Sequence, residues 1–141
     1  GKNYDLIGIE SFKNKIKNNE FVEWEEVYKN HFYGTLNSEL IRIWNANKTV
    51  VFDVDVVGGM SLKKKFGKKA LAIFVMPPSL MVLEERLRNR NTDSEQKIQQ
   101  RLEKAEQEIA LSSGFDVILK NDQLDNAISD AKAIVNQFLV L

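Results

Sequence analysis

Apolar residues are spaced differently before and after about residue 48, and the two patterns predict different elements. Residues 5–9 (D-L-I-G-I) read as a short strand. Ser11 reads as the N-cap of a helix that sets Phe12 and Ile16 on one face and ends near Asn18 and Asn19. Residues 20–27 (E-F-V-E-W-E-E-V) alternate as a strand, with Val22 and Trp24 on one face and Phe21, Glu23 and Glu25 on the other. The aromatic segment Y-K-N-H-F-Y-G-T continues as a turn and a short strand. Asn37 or Ser38 can cap the next helix, S-E-L-I-R-I-W-N-A-N, whose apolar stripe is Leu40, Ile43 and Trp44.

From residue 49 onward, near-continuous apolar runs alternate with helical patterns. Strand 49–54 precedes a short helix, G-G-M-S-L-K-K-K-F, and strand 70–76 precedes P-P-S and a helix over about 79–89. A very polar helix covers about 94–112. Strand 115–119 leads through K-N-D to a last helix, about 123–139, with Leu124, Ile128, Ala131, Ile134 or Val135, and Phe138 inward. This alternation predicts an α/β fold with a parallel sheet covered on both faces. Ligands gather at the carboxyl ends of strands in such sheets. Asp53, Asp55, Pro77 and Asn121 fall at those ends.

Composition narrows the classes. A length of 141 residues suits one compact α/β unit with room for a small subdomain. Twenty basic and twenty acidic residues cancel, so nothing argues for general attraction to nucleic acid or membrane. The absence of cysteine excludes disulfides, thiolate chemistry and cysteine-type zinc sites. No apolar run approaches a membrane span and no signal-peptide pattern is visible, so the expectation is a soluble cytoplasmic protein. The lysines at 63–65 and 68–69 read as a solvated helix end and turn rather than a polyanion site.

Three groups of residues carry candidate chemistry. In V-F-D-V-D-V-V-G-G, Asp53 and Asp55 share a strand face. A carboxylate there can orient a magnesium-bound water or accept from a ligand; the alternative for Asp53 is that it caps the following turn. Arg86, Arg88, Arg90 and Arg101 offer guanidinium forks suited to phosphate oxygens; the alternative is pairing with Glu84, Glu85 or Glu103 on a solvated face. Around F-V-E-W and F-Y-G-T, Glu23 can accept two N–H donors from a guanine edge, and Tyr33 and Thr35, on either side of Gly34, bring hydroxyls. Trp24 and Phe32 read as core, and His31 as a surface turn residue.

These groups, in this order and spacing, resemble guanylate kinase, which makes GDP from GMP with ATP. The resemblance runs through G-K-N-Y, E-F-V-E-W-E-E-V, F-Y-G-T, V-F-D-V-D-V-V-G-G, I-F-V-M-P-P-S, R-L-R-N-R and V-I-L-K-N-D. It implies a three-layer parallel sheet of the P-loop nucleoside-monophosphate-kinase type, with a small mixed-sheet GMP-binding subdomain (1–36), a core (37–79 and 110–141) and a helical lid (80–109). It also implies roles. Tyr4 and Tyr33 bind the GMP phosphate, Glu23 reads the guanine N–H groups, Thr35 sits where a Ser or Thr contacts the base, and Gly34 is counted among the substrate-binding positions. Asp53 lies near the phosphates and the metal-bound water, with Asp55 nearer the nucleoside. Arg86, Arg90 and Arg101 close on the ATP phosphates and the migrating phosphoryl group, and Asn121 contacts adenine. The implied cofactor is magnesium brought with ATP, with no direct protein ligand.

Asn3 and Val57 depart from the family's usual Asp and Gln. No G-x-x-x-x-G-K-[ST] loop occurs in the 141 residues. The expectation is that residue 1 is not the native start and that this piece alone is inactive. The competing class is a non-catalytic guanylate-kinase-like module that binds protein partners, against which stand Glu23, Tyr33, Asp53, Arg86, Arg90 and Arg101, all retained.

Overall fold

A computed structural model describes residues 5–141, which divide into two compact units on either side of the Leu62–Lys63 bond, inside a helix. Asn3 and Tyr4 lie outside the described residues.

In the first unit, α1 (Ile9–Lys17) is followed by an antiparallel hairpin of β1 (Phe21–Tyr28) and β2 (His31–Leu36), and by α2 (Asn37–Asn45). The predicted strand at 5–9 does not form: residues 5–8 are irregular and Ile9 opens α1. Five residues with two apolar side chains adjacent carry too little alternation to hold a strand without a partner. Gly8, not Ser11, is the N-cap, and Ser11 lies within the first turn. The helix does bury Phe12, and Asn19 closes its far end in the left-handed region at φ 53°, which asparagine tolerates well.

The alternation of β1 is interrupted between Phe21 and Glu23, where the register shifts. Phe21 therefore leaves the Glu23 face and stacks on Phe12 at 4.3 Å, with Phe32 on Phe12 at 5.2 Å. These rings and buried Val22 form the hairpin's core. Trp24 reaches Phe32 at 6.4 Å but stays half exposed. The cap of α2 is Leu36 and carries no side-chain bond; Asn37 instead sends its Nδ2 to the Asn19 carbonyl at 3.0 Å. Leu40 buries fully, whereas Trp44 stays half exposed.

Residues 48–55 form no strand ladder, contrary to the expectation for 49–54. An extended run becomes a strand only beside another backbone. None pairs with it among the described residues, and Val51 is 87% exposed. Next, α3 (Val56–Phe66) begins two residues before the predicted helix and buries Val56, Gly58 and Leu62.

In the second unit, β3 (Ile73–Met76) and β4 (Val117–Lys120) pair in parallel, Phe74 opposite Ile118 and Val75 opposite Leu119. Two helices, α4 (Leu80–Asn89) and α5 (Glu95–Ala110), separate them in sequence and pack on each other, burying Leu87 and Ile98. Ser79 and Ser94 cap them, accepting from Val82 N–H at 3.1 Å and Lys97 N–H at 3.4 Å. The last helix, α6 (Leu124–Leu139), keeps the expected stripe from Ala131 onward and departs from it only in its first turns. Ala127 is buried, with Ala131, Ile134, Val135 and Phe138 partly covered, while Leu124 and Ile128 are exposed.

Lys63 is not the solvated helix end the lysine run suggested. Its ammonium is 2.8 Å from Asp116 Oδ2 and also donates to the carbonyls of Gly67 and Ala70. Asp116 Oδ2 accepts from Ala72 N–H as well, at 2.8 Å, tying the approaches to β3 and β4. Burial pushes that carboxyl up, but the Ala72 amide and the Lys63 ammonium outweigh it and hold it below the ordinary aspartate range.

Candidate functional site

In the first unit, the hairpin register sets Glu23 opposite Thr35, Trp24 opposite Gly34 and Glu25 opposite Tyr33. Glu23, Glu25, Tyr33 and Thr35 thus share one face. The Thr35 hydroxyl donates to Glu23 Oε1 at 2.8 Å, so its proton is committed to the carboxylate. That makes Thr35 first an orienter of Glu23. Gly34 has a backbone reason for lacking a side chain: a Cβ there would stand 2.9 Å from the Glu23 carbonyl oxygen, from Phe21 Cδ1 and from Trp24 Cβ. Only glycine lets the two strands approach closely enough to form the Glu23–Thr35 contact.

The two aspartates have separate environments. Asp55 is the side-chain cap of α3: its Oδ1 accepts from Gly58 N–H at 2.9 Å. The capping alternative, weighed in the sequence for Asp53, is realised by Asp55. Asp53 is exposed and engages no side-chain or amide partner among the described residues. No cluster of three acidic or histidine side chains that could cage a metal ion occurs among them. Asp53 is a single exposed carboxylate, open to contact from a ligand. Gly58, missed in the sequence, lies against both carboxylates. A Cβ on it would be 3.2 Å from Asp55 Oδ1 and 3.5 Å from Glu23 Oε2. A glycine inside a helical pattern was the available signal.

In the second unit the four arginines differ. Arg86 donates Nη1 to the Asn121 carbonyl at 2.8 Å and Nη2 to the Asp122 carbonyl at 2.9 Å, tying α4 to the end of β4. Neither partner is charged, so its positive charge is not neutralised there. Arg88 is fully occupied, bonded to Glu84 and Glu95 on both sides, which raises its pKa and holds Glu95 down to about 2. The solvated pairing weighed for the arginines therefore holds for Arg88. The Arg90 guanidinium meets no partner among the described residues. Arg101 is gripped at one edge only, its Nε 3.0 Å from Asp93 Oδ2. Asn121 spends its backbone on Met76 and Arg86, through an N–H to the Met76 carbonyl at 2.7 Å, leaving its carboxamide for other contacts.

The family model described as guanylate kinase matches residues 1–138. The guanylate kinase of Porphyromonas gingivalis is 47% identical over 139 residues, which cover 99% of this chain and 74% of that protein. The guanylate kinase of Bacteroides fragilis is 42% identical over 139 residues, covering 68% of its own length. Among solved structures, guanylate kinase from Anaplasma phagocytophilum superposes with a TM-score of 0.76 at 25% identity, over 97% of this chain and 65% of that one. The chain thus spans roughly two thirds to three quarters of the length of the proteins it resembles.

Proposed function

The chain belongs to the guanylate kinase family, and from that membership we propose that the complete gene product transfers the γ-phosphoryl group of ATP to GMP, yielding ADP and GDP. The observation that carries the reading is the Glu23–Thr35 pair: a carboxylate fixed through one oxygen at 2.8 Å, on a face with a tyrosine. Two acceptor oxygens match the adjacent N1–H and 2-amino donors that distinguish guanine from adenine. Tyr33, and Tyr4 in the undescribed segment, serve the GMP phosphate; Gly34, Thr35 and Asp55 shape the base and nucleoside side.

Phosphoryl transfer of this kind needs positioning and charge stabilisation rather than a covalent intermediate. Arg90 and the outer fork of Arg101 are the guanidinium groups free to grip phosphate oxygens as negative charge spreads over the migrating group. Arg86 joins them from α4, tied to the carbonyls that follow β4, and Asn121 offers its carboxamide to adenine. Asp53 would hold magnesium through bound water when the ion arrives with ATP, and the ion would offset phosphate charge. The functional division is a GMP-binding part at 1–36, a core at 37–79 and 110–141, and a lid at 80–109. The proposed setting is purine nucleotide metabolism in the cytoplasm; no helix among the described residues is long and apolar enough to cross a membrane.

The test is a coupled assay of GMP-dependent ADP formation by the complete gene product. Asp53→Ala and Arg90→Ala should each lose about a hundredfold or more in kcat. Activity surviving both changes would sink the assignment, as would absence of GMP-dependent turnover in the unaltered protein.

A further inference from the structure

Arg86 lies in the second turn of α4, and helical side chains lean toward the N-terminus of their own helix. Its long stem reaches back to the segment that leaves β4. There Nη1 donates to the Asn121 carbonyl at 2.8 Å and Nη2 to the Asp122 carbonyl at 2.9 Å, joining positions 35 and 36 apart in the chain. Asn121 is pinned a second time, by its own N–H on the Met76 carbonyl at 2.7 Å. Its backbone is thus held from two sides, by the end of β3 and by α4. Two neighbouring donors on consecutive carbonyls suit the planar guanidinium fork, which a lysine ammonium does not reproduce. A guanidinium has five N–H donors, so these two bonds leave Arg86 its charge and further donors for phosphate.

We infer that Arg86, besides its proposed contact with phosphate, is a specificity-determining positioning residue: it fixes the backbone of Asn121 and so sets where that carboxamide meets the 6-amino group of adenine. The inference rests on the reading of Asn121 as the adenine contact. The bonds to Met76 and Arg86 use only the Asn121 backbone, so they place the side chain without occupying it. A base contact depends on such placement, because a displacement of about 1 Å is enough to lose it.

The experiment compares ATP with purine riboside triphosphate, which lacks the 6-amino group, as phosphoryl donors to GMP in the complete gene product. Arg86→Ala should lower kcat with both donors and, in addition, lower the kcat/KM preference for ATP about tenfold. Arg86→Lys keeps the charge without the fork, so it should recover much of the rate with both donors but not the preference. In an Asn121→Ala background neither change should alter the preference further, because it acts through Asn121. A role confined to phosphate charge would move both donors alike. The inference is overturned if the lysine variant shows the parent's preference, or if the fall in preference persists in the Asn121→Ala background. Should the alanine variant fail to fold, the lysine variant decides by the same readout. Asn121→Ala with an unchanged preference would instead overturn the reading of Asn121 as the adenine contact, and a parent protein that does not phosphorylate GMP would overturn the functional reading itself.

Discussion

Asp93 Oδ2 lies 3.0 Å from the Nε of Arg101, across the turn between α4 and α5. The aspartate side chain is only 13% exposed and the arginine 56%, so a mostly buried carboxylate anchors the inner edge of an outward-reaching guanidinium. Held by Nε, the arginine keeps its terminal fork for a bidentate grip on phosphate. On the proposed role of Arg101, Asp93→Ala should lower kcat about tenfold with little change in the KM for GMP, while Asp93→Asn, which still accepts from Nε, should retain most activity. Steady-state kinetics of the three proteins check this; equal kcat values for the alanine variant and the parent would refute the anchoring role.

Arg88 joins α4 to α5 through Glu95, and this bridge has a defined pH window. Hydrogen bonding from Arg88, opposed by desolvation and helped by Gln99, holds the Glu95 carboxyl down to about 2. A carboxyl depressed in the folded state stabilises above its unfolded pKa and loses that contribution as pH falls through its folded one. The bridge should therefore be intact at pH 6 and fade between about pH 4.5 and 2. Glu95→Gln should lower Tm at pH 6 by only about 2 °C, since the pair is exposed. At pH 2 the two proteins should melt together, which thermal scans across that range can test.

Gly34 answers a purely steric demand. Gly34→Ala drives a Cβ to 2.9 Å from a backbone carbonyl oxygen that cannot rotate away. The expected cost is about 1–3 kcal/mol in unfolding free energy by denaturant titration. GMP affinity should fall with it, because separating the strands pulls Thr35 from Glu23. A stability equal to that of the parent would show that the hairpin can open without loss.

What could be read along the chain depended on how local its cause was. The ranges of α4 to α6 were legible within a few residues, because each follows from neighbours in sequence; the Ser79 and Ser94 caps and the Glu23–Thr35 pairing have equally local causes but were not read. The assignment of the cap to Asp55 rather than Asp53 turned on where α3 starts, and Val56 extends it further back than Gly58 suggested. The strand 49–54 failed for another reason: its apolar run is genuine, but a ladder is made by a partner. Lys63–Asp116 joins residues 53 apart in the chain, and no spacing rule reports such a pair.

Thr35 offers the sharpest separation of fold from recognition. Its hydroxyl proton goes to Glu23 Oε1, and an ionised carboxylate can only accept, so the direction of this bond is set by chemistry. Thr35→Val keeps the β-branched shape that suits β2 and removes only the donor. Glu23 is partly exposed, so water can take the vacated place and the stability loss should stay near 1 kcal/mol. Water does not fix orientation, however, and a carboxylate free to rotate meets the guanine edge less often. The KM for GMP should rise about tenfold with the KM for ATP unchanged, and Thr35→Ser, which restores the hydroxyl, should recover most of the loss. If valine leaves the KM for GMP at the parent value, Thr35 does not orient Glu23 for binding, and the hairpin pair is a structural contact alone.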